Sequence, residues 1–137
     1  MMARAALAGL VYFAIVFAIG FVLGSIRVLL VAPVLGALGA VLVELPVILL
    51  ACWLAAGWLA RWLSPQSASD ALIMGAVAFM CLMIAEFSLA DLAFDRSLTD
   101  QIRHWATLEG ALGLGGQILF AILPWVQGRR TAAVRPR

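Results

Sequence analysis

The chain has 137 residues, enough for one domain, and it is 66% hydrophobic and only 12% charged. A soluble domain is closer to half apolar and a quarter charged, so this composition excludes an ordinary soluble fold. The net charge of +2 is small and all nine basic residues are arginine. No groove-reading or base-stacking module accompanies them, so nucleic acid is not an expected partner.

Four apolar runs account for the high hydrophobic content, and each has about the 20 residues that a helix needs to cross the hydrocarbon core. The first two spans are predicted at about 5–30 and 37–63. Pro33 and Gly36 separate them, because proline disfavours helix at the preceding residue and glycine suits a tight reversal. The first run is longer than the apolar part of a signal peptide, so we interpret it as an uncleaved span.

The third span is predicted at about 71–90, after a polar turn in which Ser69 or Asp70 can cap the helix. A loop at 91–107 contains Ser97-Leu98-Thr99-Asp100, which has the form of a capping box. Leu98, Ile102 and Trp105 then recur at helical spacing, which predicts a short amphipathic helix on the membrane surface. The expected fold is therefore an all-α membrane protein with four antiparallel transmembrane helices and a short interfacial helix before the fourth.

The fourth span is predicted at about 108–126, and the basic tail at 128–137 is expected to be disordered and suited to anionic lipid headgroups. The arginines indicate the orientation, because basic residues are enriched in cytoplasmic loops. One side receives Arg4, Arg61, Arg129, Arg130, Arg135 and Arg137, and the other receives Arg27, Arg96 and Arg103. Both termini are therefore expected in the cytoplasm.

Two charged residues lie near the turn between the first two spans. Arg27 follows Gly20 and Gly24 on one helical face, and Glu44 lies about two turns into the second span within a stripe of alanines. Small residues let helices approach closely in lipid, and the reversal brings both charges to a similar depth. We therefore predict an Arg27–Glu44 ion pair, which either fixes the packing of the helices or forms part of a functional site.

Further polar residues occupy the same half of the predicted bundle. Glu86 lies near the outer end of the third span and has no obvious cation, so it is either protonated or close enough to the interface to be hydrated. Glu109 and Gln117 lie roughly along one face at the start of the fourth span. The candidate intramembrane site is therefore Arg27, Glu44 and Glu86, with Glu109 and Gln117 as secondary polar residues.

Other patterns give no chemistry. Cys52 and Cys81 lie in apolar runs, where cysteine usually fills core space, although a disulfide between them stays open. No nucleophile–base motif, phosphate-binding loop or metal-ligand spacing is present in the sequence, so we expect no cofactor, no metal and no enzymatic activity.

The segment Gly20-Phe21-Val22-Leu23-Gly24-Ser25-Ile26-Arg27-Val28-Leu29, with Ala32-Pro33, Leu35-Gly36 and Glu44-Leu45-Pro46 after it, resembles an uncharacterised family of small four-span bacterial inner-membrane proteins. The resemblance covers about the first 60 residues. It implies the fold and a location in the inner (cell) membrane, and it implies no activity. Val34 stands where relatives often carry a basic residue, so a role for that residue does not transfer.

Two functions follow as expectations. The first is a non-catalytic integral membrane protein, acting as an accessory or assembly subunit with membrane lipids, further copies of itself or a larger membrane complex as partners. The second is a small oligomeric transporter or channel for ions or protons that uses Glu44, Glu86 and Arg27.

Overall fold

A computed structural model describes residues 2–62 and 67–134, and every regular element in those ranges is a helix. The helices are α1 (Met2–Ile26), α2 (Ala32–Trp62), α3 (Ala68–Phe94), α4 (Leu98–Trp105) and α5 (Leu108–Val134). A π-helical turn at Arg27–Val31 joins α1 to α2. The predicted all-α class is confirmed.

Three helical segments are long and apolar enough to cross a membrane. They are Met2–Trp62, Ala68–Phe94 and Leu108–Arg130. These are the features of a membrane protein, because about 20 apolar residues in a helix span the hydrocarbon core. The short helix α4 lies between the second and third of these segments, where the sequence predicts it.

The long first segment is interrupted at Gly36. This residue has φ 75° and ψ 171°, a conformation that is not helical and that essentially only glycine adopts. Just before it, the Ala32 N–H donates to the Arg27 carbonyl, which widens the helix by one residue ahead of Pro33. The predicted break at Pro33–Gly36 is thus confirmed, with Gly36 as the residue that leaves the helix.

Two helix boundaries differ from the prediction. Ser67 caps α3, since its hydroxyl accepts from the Asp70 N–H at 3.1 Å, whereas Ser69 or Asp70 was expected. The helix therefore starts at Ala68 and runs to Phe94, beyond the predicted end near residue 90. It stops where Asp95 takes a left-handed conformation with φ 49°.

The predicted disordered tail is wrong for most of its length, because α5 continues to Val134. Gly128 is only weakly unfavourable in a helix, and the arginines and alanines after it are good helix formers. The next strong helix breaker is Pro136. Residues 135–137 lie outside the described residues.

The four long helices pack as a ring in which α1 and α5 each contact both α2 and α3. The core lies in the half of the bundle that holds the start of α1 and the end of α2. It consists of Ala8, Tyr12, Val16, Cys52, Ala55, Ala56, Leu59, Met74, Ala78 and Phe120.

Glycine permits two very close helix approaches in this packed half. A methyl group on Gly9 would lie 2.6 Å from the Met74 carbonyl oxygen of α3, and one on Gly75 would overlap the Ala121 carbonyl oxygen of α5. Neither position therefore has room for a larger residue. Neighbouring residues of α3 thus contact α1 and α5 at one crossing point, which fixes three helices together.

The other half of the bundle is packed loosely. No residue is fully buried between positions 17 and 39 or between positions 79 and 94. We call this part of the molecule, which contains the end of α1, the starts of α2 and α5 and the end of α3, the open half. All five polar residues of the predicted site lie in it.

Candidate functional site

Arg27 and Glu44 form the ion pair that the sequence predicts. Arg27 opens the π-helical turn, and its Nε contacts Oε2 of Glu44 on α2. The contact is an ion pair without an aligned hydrogen bond at Nε. Gly24 lies beside the pair, because a methyl group there would be in ordinary van der Waals contact, at 4.0 Å, with both the guanidinium and the carboxylate.

The pair is only partly shielded. The side chain of Arg27 is 34% exposed and that of Glu44 is 19% exposed. The contact between α1 and α2 runs along the predicted small residues, since Gly20 lies next to Ile48 and Gly24 lies next to Glu44. The small-residue face predicted for the first span is therefore the face that contacts α2.

A second polar pair links α3 to α5. Gln117 Nε2 donates to both carboxylate oxygens of Glu86, at 2.6 Å each. A neutral amide cannot balance a carboxylate charge, and no described arginine forms an ion pair with Glu86. Gln117 Oε1 is buried without a hydrogen-bond partner in the described part of the chain. This pair has the groups that can hold a proton or a small cation between two helices.

The two pairs lie at adjacent levels of the open half. A methyl group on Gly116 would lie 2.7 Å from the Leu45 Cδ1 atom, so the turn of α5 that carries Gln117 adjoins the turn of α2 that carries Glu44. The three residues of the candidate site thus lie in the open half but in two different pairs: Arg27 with Glu44, and Glu86 with Gln117. Glu109 is not brought into either one; it lies in the first turn of α5, where a negative charge favours the helix dipole.

The sequence analysis missed a hydrogen bond at the centre of the ring. The Tyr12 hydroxyl donates to the Phe120 carbonyl oxygen at 3.0 Å, and the two rings stack with centroids 4.5 Å apart. Pro124 lies four residues after Phe120 and has no N–H, so this carbonyl has no helical donor. The signal was available, because a tyrosine in an apolar span needs a polar partner and a proline frees one.

A second missed feature lies at the end of α5. The Arg129 guanidinium carbon lies 4.7 Å from the ring centroid of Trp125, and that of Arg130 lies 5.1 Å from the ring centroid of Trp53 on α2. Gln127 Nε2 also donates to the Trp53 carbonyl oxygen at 3.2 Å. The contacts of Arg130 and Gln127 with Trp53 fasten the last part of α5 to α2, while the Arg129–Trp125 contact lies within α5.

The capping box of α4 is confirmed. The Asp100 N–H donates to Ser97 Oγ, and the Ser97 N–H donates to Asp100 Oδ2, both at 3.2 Å. The Ser97 hydroxyl, which donates to Asp100 Oδ2 at 2.7 Å, and then the Ser97 N–H lower the pKa of Asp100 below its usual value. Trp105 at the other end of α4 packs edge-on against Phe87, so α4 lies against the end of α3.

Cys52 and Cys81 are both free, which answers the question of a disulfide between them. In residues 2–62 and 67–134, no three potential ligands among histidine, cysteine, aspartate and glutamate come close enough to hold a metal ion. Comparison with family models, curated proteins and solved structures found no match for this chain.

Proposed function

We propose that the chain is an integral protein of the bacterial inner membrane with four antiparallel spans. A straight helix from Met2 to Trp62 would be about 92 Å long at 1.5 Å per residue, which is three times the ~30 Å hydrocarbon core. The contacts of Gly20 with Ile48 and of Gly24 with Glu44 support a hairpin instead. Residue numbers rise along α1 as they fall along α2, as in an antiparallel pair.

The distribution of arginine supports cytoplasmic termini. Three contacts support placing four helix ends together: the start of α1, the end of α2, the start of α3 and the end of α5. The contacts join Gly9 to Met74, Gly57 to Gln127, and Gly128 to Ala71. The predicted topology assigns six of the nine arginines to this end of the bundle and three to the other end. The positive-inside preference then favours the cytoplasm for the arginine-rich end.

Within this topology, a non-catalytic role as an accessory or assembly subunit is the function that the site supports best. The observation that carries it is the Arg27–Glu44 ion pair, because both charges are used between neighbouring helices of one hairpin. Loss of either partner would leave the other charge alone beside apolar helices, so the pair favours the observed contact between α1 and α2. The loosely packed open half leaves helix faces on which another membrane protein, or a further copy, can pack.

The test is co-purification in mild detergent with a matched pair of bulky substitutions. Gly115 is exposed in the open half with nothing within 4 Å of an added methyl group, whereas Leu54 is 61% exposed near the packed half. We expect a stoichiometric partner with the wild type and with Leu54→Trp, and its loss with Gly115→Trp. Equal retention by both variants would contradict the open half as the surface that the partner contacts, and a wild type that purifies alone would contradict the subunit role.

A second candidate is a small oligomeric transporter or channel for protons or cations. It is favoured by the Glu86–Gln117 pair, in which an acidic group inside an apolar helix has an amide as its partner. Ionisable groups at such positions are typical of proton and ion pathways. In this role Glu86 binds the proton or cation, and Arg27 and Glu44 are the further charged groups along its path.

Liposome flux separates the two candidates. The wild type, Glu86→Gln and Glu44→Gln would be reconstituted and assayed for proton and cation flux, with Glu109→Gln as the control at the start of α5. Flux that disappears with Glu86→Gln but not with Glu109→Gln would establish the transporter. Absence of flux in the wild type under every gradient would remove this candidate.

A further inference from the structure

Two arginines at the end of α5 are held on aromatic faces. Arg129 stacks on Trp125 of its own helix, and Arg130 stacks on Trp53 of α2. Stacking occupies the flat face of a guanidinium and leaves its edge N–H groups free to donate. Both arginines are exposed, and neither forms an ion pair with an acidic group in the described part of the chain.

The depth of these side chains matches a lipid headgroup. From Glu109 in the first turn of α5 to Arg129, the helix rises about 30 Å at 1.5 Å per residue, which equals the thickness of the hydrocarbon core. Helical side chains lean toward the N-terminus of their own helix. The guanidinium groups therefore point back toward the bilayer and reach the level of the tryptophan rings, where tryptophan itself prefers the interface.

The local charge selects the ligand. Arg4 near the start of α1 and Arg61 near the end of α2 lie at this end of the bundle, together with the acidic Asp70 in the first turn of α3. Basic residues therefore outnumber acidic ones at this end in the described part of the chain. A guanidinium edge pairs with two oxygens of one phosphate, and adjacent guanidiniums favour a ligand with net negative charge. A zwitterionic headgroup supplies its own cation, so it gains less from this environment.

We propose that Arg129 and Arg130, oriented by Trp125 and Trp53, form a binding site for the phosphodiester headgroup of an anionic phospholipid. The site joins α2 to α5, and the hydrogen bond from Gln127 to the Trp53 carbonyl keeps the two helix ends in register. It is independent of whether the open half binds a partner or moves ions, because it lies in the packed half.

Lipid binding to the full-length protein in a neutral detergent tests the site. Phosphatidylglycerol, phosphatidylcholine and inorganic phosphate would be titrated separately, with bound lipid counted by native mass spectrometry. At about 1 kcal/mol for each arginine near an anionic headgroup, we expect Arg129→Gln/Arg130→Gln to weaken phosphatidylglycerol binding by on the order of 30-fold. Phosphatidylcholine binding should stay unchanged, and Arg103→Gln on α4 is the matched control at the opposite end.

Three results would overturn the proposal. Phosphatidylglycerol binding that is equal in the wild type and the glutamine pair would remove the site. An equal loss with Arg103→Gln would indicate diffuse charge attraction, and inorganic phosphate that competes as well as the lipid would indicate a site for a free anion. The double variant Arg129→Lys/Arg130→Lys keeps both charges but loses the planar guanidinium groups that lie over the tryptophan rings. We therefore expect it to bind phosphatidylglycerol with intermediate affinity. Wild-type affinity would contradict a role for the tryptophans in orienting the arginines.

Discussion

Replacing Tyr12 by phenylalanine removes one hydroxyl group from the centre of the bundle. The stack with Phe120 should remain, since its centroid distance of 4.5 Å does not depend on the hydroxyl. The Phe120 carbonyl oxygen, however, loses the donor that lies 3.0 Å away. Pro124 cannot replace it, because proline carries no N–H. The substitution thus leaves a buried acceptor without a partner.

The expected cost follows from that loss. Interhelical hydrogen bonds in membrane proteins average about 0.6 kcal/mol, with a maximum near 1.7. An acceptor left buried without a partner costs about 1–3 kcal/mol in proteins generally. The Phe120 carbonyl has no helical donor to fall back on, so we expect about 1–2 kcal/mol. That free energy corresponds to about a 5- to 30-fold change in the unfolding equilibrium.

A double-mutant cycle with Pro124→Ala isolates this contribution. Alanine restores a backbone N–H four residues after Phe120, so the carbonyl regains a helical donor. Unfolding would be followed by circular dichroism as a denaturing detergent replaces a mild one. Tyr12→Phe should cost about 1–2 kcal/mol with Pro124 present and well below 1 kcal/mol with alanine there. An equal cost in the two backgrounds would refute the coupling between the tyrosine and the proline.

Three further tests examine other parts of the fold by the same unfolding measurement. Gly36→Ala should lose about 1–3 kcal/mol, because its φ of 75° strains any residue with a side chain, while Gly113→Ala in the open face of α5 should be neutral or stabilising by up to about 1 kcal/mol. Gly75→Ala should lose at least about 1–3 kcal/mol, because its methyl group would overlap a carbonyl oxygen of α5. Arg27→Ala and Glu44→Ala should each lower stability, and the double variant should lose less than the two costs added, because the single variants each leave a charge alone.

Each of these expectations has a contrary result. A Gly36→Ala variant with wild-type stability would mean that residue 36 adopts a backbone conformation other than φ 75°. Gly75→Ala with wild-type stability would mean that α3 and α5 lie farther apart than described. Simple additivity of Arg27→Ala and Glu44→Ala would remove the ion pair as a source of stability.

Local sequence signals were sufficient for most of the fold. Apolar runs, the capping box at Ser97 and the helix break at Gly36 depend on residues close in the chain, so each could be predicted without knowing the packing. Arg27–Glu44 was also predictable, because a hairpin relates its two residues by depth and helical phase. Helix boundaries were predicted less accurately. Ser67 caps α3 instead of Ser69 or Asp70, and all three residues are of types that can cap a helix. Helix α5 continues past Gly128, because a single glycine is not enough to end a helix.

Contacts between distant helices could not be predicted in the same way. Glu86 was left without a partner because its relation to Gln117 depends on how α3 and α5 rotate against each other. Tyr12 reaches Phe120 across the ring, and nothing in the local pattern gives that direction. To predict such pairings one must know the order of the helices around the bundle. The periodicity of apolar residues in a single sequence does not give that order.

The sequence separation of the two polar pairs sets when each can form during synthesis. Arg27 and Glu44 belong to consecutive helices, so their charges can neutralise each other as soon as the first hairpin is made. Glu86 is 31 residues ahead of Gln117, an interval of a few seconds at about 5–20 residues per second. Under the proposed topology, an acidic side chain therefore waits for the last helix to arrive. The completion of α5 is then the step that supplies Glu86 with its hydrogen-bond partner.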